Sequence, residues 1–173
     1  RKMLRRAENA GSPVVVLTVD LAGGTSTRHT LARAIRRDER NCAACHAGNG
    51  VAAGPKPMFR GISSAGIEEE MILTWQFVEQ LRQETAMKVF VKGIVTGADA
   101  ERCVDIGVDG IIVSNHGGRG EESGRGALDS LVEVSAAVRG RTTLFMDSGI
   151  RRGVDIFKAL ALGADAIMVG RPY

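Results

Sequence analysis

"DGIIVSNHGGRG" at residues 109–120 runs from β-branched apolar residues into a polar, glycine-rich turn, and "TTLFMDSGIRRG" at 142–153 repeats the shape. Continuous apolar runs of this length, separated by helical stretches, predict parallel strands buried on both faces. KVFVKG at 88–93, DAIMVGR at 165–171 and PVVVLTVD at 13–20 have the same character. The intervening segments predict helices from Thr74 to about Thr85, between Thr96 and Gly107, over about 128–139, and from Arg152 to Gly163. Thr74 and Thr96 are suited to cap helix N-termini, and Gly107 and Gly163 to end helices.

The polar residues then decide the architecture. Asp20, Lys92, Ser114 to His116, Asp147, and Gly170 with Arg171 each fall at the C-terminal end of a predicted strand. A barrel of strand-helix units builds its active site from these ends, whereas a doubly wound sheet concentrates its ligand groups near one switch point. The expected fold class is therefore α/β, as a segment of a (β/α)8 TIM barrel. The 173 residues fall short of a full barrel, which takes ~250. About five of the eight strand-helix units are recognisable, and the opening Arg1 suggests a chain that starts inside a longer protein.

Composition narrows the function. Apolar residues make up 44% and charged residues 25%, as in ordinary folded domains. The net charge of +3 comes with only 4% aromatic residues, too few for base-stacking platforms, which disfavours nucleic acid. No apolar run is long enough to span a membrane.

Two segments suit a phosphate. "DSGIRRG" (147–153) opens a helix, so backbone N–H groups and Arg151 or Arg152 can face an anion. "VGRP" (169–172) offers Gly170 for close approach and Arg171 for a bidentate contact. Lys92, at a strand end after V-F-V, is either a partner for a negative group or a side chain that snorkels to solvent. His116 is either a turn residue or a base, and Arg119, held nearby by Gly117-Gly118, favours a base beside a carboxylate clamp.

At these spacings "VKGI", "GIIVSNHGGR", "MDSGIRRGVDIFKALALGADAIMVGRP" and "VLTVD" closely resemble the FMN-dependent α-hydroxy acid dehydrogenases and oxidases, the family of glycolate oxidase, lactate and mandelate dehydrogenases and flavocytochrome b2. The resemblance covers 13–20 and 74–173. It implies FMN as cofactor and oxidation of an (S)-2-hydroxy acid such as L-lactate to the 2-keto acid, with oxygen, a quinone or a cytochrome as acceptor. It further implies His116 as base, Asp20 as its orienting carboxylate, and Arg119 as substrate clamp. Lys92 would stand beside the flavin N1 and O2 edge. Thr18, Ser114, Asp147, Gly149, Arg151, Gly170 and Arg171 would contact FMN, the last three towards its phosphate. Arg28 stands near the place of a second substrate arginine. A homo-oligomer is implied as well.

The stretch 21–73 fits no strand-helix unit and reads as an irregular loop within a single domain, 1–173. It holds Cys42-x-x-Cys45-His46, the spacing of c-type haem attachment, for which Met58 is a candidate sixth ligand. A zinc site completed by His29, a redox-active cysteine pair, or a plain loop are alternatives. Haem would place the protein in the periplasm; otherwise a cytoplasmic or membrane-peripheral location is the default expectation. Cys103, in a packing helix, reads as core. Two other functions stand beside the leading one. One is a haem- or metal-binding electron-transfer module on a degenerate barrel. The other is an FMN barrel resembling the type 2 isopentenyl diphosphate isomerases, which His116 and Arg119 disfavour because that reaction offers no carboxylate to clamp.

Overall fold

The structure, a computed structural model, describes residues 1–20, 73–120 and 123–172. The elements run α1 (Lys2–Asn9), β1 (Val14–Thr18), α2 (Trp75–Glu84), β2 (Lys88–Ile94), α3 (Gly97–Ile106), β3 (Gly110–Val113), α4 (Ala127–Val138), β4 (Thr143–Met146), α5 (Gly153–Ala161) and β5 (Ala166–Ile167). All five strands are parallel and lie in sequence order, β1-β2-β3-β4-β5. An order without reversal has no switch point, and right-handed crossovers then place every helix on one face. This is five consecutive units of a TIM barrel, as the strand-end residues predicted.

The helix boundaries follow local chemistry. Thr74 accepts a hydrogen bond from Phe77 N at 3.3 Å. The Thr96 hydroxyl accepts from Asp99 N at 3.2 Å and donates to Asp99 Oδ2 at 2.8 Å, which fixes the start of α3. Gly107 ends that helix at φ 78°, a left-handed cap that a Cβ would strain. No strand-helix motif announces α1. Its Glu8 takes hydrogen bonds from the Thr85 hydroxyl and from Ala86 N, tying α1 to the end of α2. Those bonds, led by that of Thr85, hold the Glu8 carboxyl below the usual range.

The main core lies between the sheet and its helices. Val91, Ile111, Val113, Leu144 and Met146 from the strands meet Val78, Ala100, Cys103, Leu131, Val134 and Val138 from the helices, all nearly free of solvent. Each such branched side chain contributes roughly 1.5–3 kcal/mol on burial. Burial also pushes the Cys103 thiol up to about 12, in keeping with an inert core residue.

On the other face of the sheet, the Phe90 ring lies over Gly110, where an added Cβ would overlap it. The ring therefore reaches across β3 to meet Phe145 edge-on, with centroids 5.4 Å apart. That same face carries Lys92 two residues further along β2, so the aromatic pair floors the site above it. Among the described residues no helix is long and apolar enough to cross a membrane.

Candidate active site

Three strand ends converge through unusual backbone. After β3, Ser114 is fully buried, and His116, Gly117 and Gly118 follow with φ of 55°, 69° and 79°. Three left-handed residues in a row curl the chain around Asn115, whose carbonyl accepts from the N–H groups of Gly118, Arg119 and Gly120 at 3.0–3.2 Å. The Asn115 side chain accepts from Gly118 N at 2.9 Å and closes the turn. After β4, Ser148 and Gly149 are also left-handed, at φ 74° and 78°. Near the end of β2, at the register shift between Lys92 and Ile94, Gly93 has φ 108°, and a Cβ there would stand 2.6 Å from the Asp20 Cβ. Glycine at 93 is what lets Asp20 reach the site.

The ionisable groups form one connected set. His116 Nδ1 lies 2.9 Å from Asp20 Oδ1. The Asp20 side chain is 3% exposed, and its Oδ2 makes no hydrogen bond among the described residues. Lys92 Nζ stands 3.8 Å from that oxygen, at ion-pair but not hydrogen-bond distance. The same ammonium donates to Ser114 Oγ at 2.8 Å and lies 3.3 Å from Asp147 Oδ2. Arg119 donates its Nε to the His116 carbonyl at 3.0 Å, and its terminal amino groups bond to no described residue. A cavity of about 270 Å³ opens onto Lys92, His116, Arg119 and Asp147 and extends to Gly149, Arg151, Gly170 and Arg171.

At the phosphate end two sets of contacts engage the arginines expected there. The N–H groups of Arg151 and Arg152 are taken by Asp155 Oδ2, at 3.0 and 2.9 Å, so the entry to α5 is capped by the helix's own carboxylate. These two bonds, that from Arg151 first, hold the Asp155 carboxyl below its ordinary value. Arg171, expected to face a phosphate, donates Nη2 to the Gly117 carbonyl at 2.6 Å. Gly149 and Gly170 line this end of the cavity. An added Cβ at either glycine would meet nothing within 4 Å, and neither N–H is engaged among the described residues. The exposed Arg151 side chain lines the same end of the cavity.

A family model described as FMN-dependent dehydrogenase matches residues 1–173. The chain belongs to the FMN-dependent dehydrogenase family. The match takes in the first dozen residues and the stretch 21–73, which the motif resemblance had left aside. A peroxisomal (S)-2-hydroxyacid oxidase of Arabidopsis thaliana is 38% identical over 99% of the chain and 47% of its own length. The mouse 2-hydroxyacid oxidase 1 is 36% identical over 99% of the chain and 48% of its length. An L-lactate oxidase of Lysinibacillus sphaericus is 48% identical over 58% of the chain. A mandelate oxidase variant solved with (S)-mandelic acid superposes with a TM-score of 0.73 at 36% identity, covering 99% of the chain and 45% of that structure. The chain thus spans about half the length of the curated relatives it matches.

The cavity of this FMN-dependent dehydrogenase family chain fits the cofactor the family is named for. A lysine ammonium stands at one end, and glycines with open N–H groups and an arginine stand at the other. The structure brings together His116, Asp20, Lys92, Ser114 and Asp147, and places Arg119 on the same turn. Thr18 lies across from Lys92 in the β1–β2 register. Arg28, His29, Cys42, Cys45, His46 and Met58 lie outside the described residues. Among the described residues no cluster could hold a metal ion.

Sequence reading missed Gly93, Gly120 and Ser148. Gly120 packs so closely that a Cβ would lie 2.7 Å from the Asp20 carbonyl oxygen. Their signal was present but ambiguous, since glycine or serine after a strand reads as ordinary turn chemistry.

Proposed function

We propose that the full-length protein is an FMN-dependent oxidoreductase that converts an (S)-2-hydroxy acid, such as L-lactate, to the 2-keto acid. The observation that carries this reading is the 2.9 Å His116–Asp20 pair on the turn that also presents Arg119 to the cavity. The names of the relatives, (S)-2-hydroxyacid oxidase and L-lactate oxidase, support the substrate class and favour oxygen as acceptor.

Lys92 at one end and Gly149, Gly170 and Arg151 at the other would hold FMN, which when bound would accept the two electrons. The protein's own groups then have separable tasks. Ionised Asp20 has no proton to give, so His116 Nδ1 carries the hydrogen of their shared bond and Nε2 is left with a lone pair. That nitrogen takes the proton from the substrate, and Asp20 stabilises the imidazolium that results. Arg119 uses Nε to brace the turn, leaving its terminal amino groups to clamp the substrate carboxylate. Lys92, held by Ser114 and Asp147, sets positive charge on the cavity wall.

The test is an anaerobic spectrum of the flavin-loaded full-length protein before and after L-lactate. Bleaching of the flavin band supports the reading. A folded holoprotein that no 2-hydroxy acid bleaches would end it.

A further inference from the structure

Ser148 is a left-handed serine at the mouth of the cavity, with φ 74°, followed by a left-handed glycine. Glycine adopts this conformation freely and a side chain does not, so a serine here needs a compensating role. Its hydroxyl supplies one. Ser148 Oγ accepts from Gly117 N at 2.9 Å and donates to Asp147 Oδ1 at 2.6 Å.

Those two bonds close a ring. From Gly117 N the path runs through Ser148 Oγ to Asp147, from Asp147 Oδ2 to Lys92 Nζ at 3.3 Å, and from Lys92 to Ser114 Oγ at 2.8 Å. Ser114 Oγ accepts from His116 N at 3.0 Å, and His116 is bonded covalently to Gly117. The two consecutive backbone N–H groups that carry the histidine turn are thus each bound to a serine hydroxyl. Both hydroxyls lead to Lys92, one directly and one through Asp147.

We infer that Ser148 is a positioning residue of the redox site: its hydroxyl holds Asp147 by Oδ1, limiting how far that carboxylate turns onto Lys92, and ties the lysine's charge to the turn that bears His116. This deepens the proposed oxidation and rests on that reading for its rate effects. Without the hydroxyl, Asp147 loses a donor on Oδ1 and is free to turn more fully onto the ammonium. The positive charge offered to the cofactor is then weakened, and the His116–Gly117 segment loses one of its two anchors.

Ser148→Gly tests the role cleanly, because glycine relieves the left-handed backbone while removing the hydroxyl. In the FMN-loaded full-length protein three quantities are read: the melting temperature, the flavin midpoint potential by dithionite titration, and the rate constant of flavin reduction as L-lactate is raised to saturation. The expected result is an unchanged or higher melting temperature, a lower midpoint potential, and a limiting rate constant reduced on the order of tenfold, the effect of one hydrogen bond to a charged group. The half-saturating lactate concentration should stay within about twofold, since Ser148 does not touch the substrate clamp. A variant with wild-type potential and wild-type limiting rate would overturn the inference and reduce Ser148 to a tolerated turn residue. The two proposals fail separately. If no 2-hydroxy acid reduces the wild-type flavin but Ser148→Gly still lowers the potential, the substrate reading falls and the role of Ser148 stands. If lactate reduces both proteins alike at equal potential, the reverse holds.

Discussion

The two ends of the sheet use aspartate in opposite ways. At the N-terminal ends of β3 and β5, Gly107-Val108-Asp109 and Gly163-Ala164-Asp165 repeat one device. Asp109 accepts from Val89 N through its side chain and donates its own N–H to Val89 O, both at 2.9 Å. Asp165 does the same to Leu144, at 2.8 and 2.7 Å. Each carboxylate there is spent on the backbone of the preceding strand. At the C-terminal ends, Asp20 and Asp147 bind His116, Lys92 and Ser148 through their side chains. The difference teaches where this fold keeps stability and where it keeps chemistry: carboxylates that bind fixed peptide groups cannot respond to a ligand, whereas those that bind ionisable side chains can.

The sharpest way to break that contrast is His116→Asn. Stopped-flow reduction by L-lactate should slow by roughly 10² to 10⁴ while flavin stays bound, the range for a general base. Loss of flavin instead would make the histidine structural and erase the distinction between the ends. Next in size is Asp20→Asn, expected to slow reduction by roughly 10², because an amide can hold His116 Nδ1 as acceptor but cannot balance its positive charge. Gly93→Ala should then cost about 1–3 kcal/mol in urea unfolding, since a methyl group at φ 108° meets Asp20. A stability equal to wild type would mean that Asp20 is free to withdraw.

Asp165→Ala samples the other end. It should lose about 1 kcal/mol of stability with an unchanged rate of flavin reduction. A large rate effect would show that the ends are not separable. Smallest is an acid effect at α5. The Asp155 carboxyl is lowered by its bonds from Arg151 and Arg152, so its contribution is complete above the ordinary carboxylate range and lost as pH falls through the lowered value. NMR titration should show the Arg151 and Arg152 amide signals moving together below that range, and signals indifferent to acid would remove the cap.

How much of this was legible depended on sequence distance. The strands, the caps at Thr74 and Thr96, and the polar residues at Lys92, Ser114 to His116 and Asp147 were readable because each is announced within a few residues by its own motif. The grip of Arg171 on Gly117 joins loops 54 positions apart, and no local pattern encodes it. Asp155 showed the opposite problem. Its capping role was local, but without a serine or threonine before the helix the arginines drew attention to an anion from outside. Ser148 stayed hidden because its two bonds cross to another strand's loop and to its own neighbour, while its letter reads only as a turn.

The strand register also carries a message about folding order. Phe90 pairs with Gly110 and Phe145 with Ala166 across short intervals of chain, whereas Val14 pairs with Lys88 across the whole span 21–72. Loop closure grows costlier with length, by about 0.6 kcal/mol for each doubling, and distant pairings slow the search for the native state. The β1–β2 seam is therefore the most expensive contact in the sheet to nucleate, and Asp20 sits just beyond its end. Histidine and lysine can be assembled by neighbours in the chain, but the carboxylate that orients the base arrives with the strand that has furthest to travel.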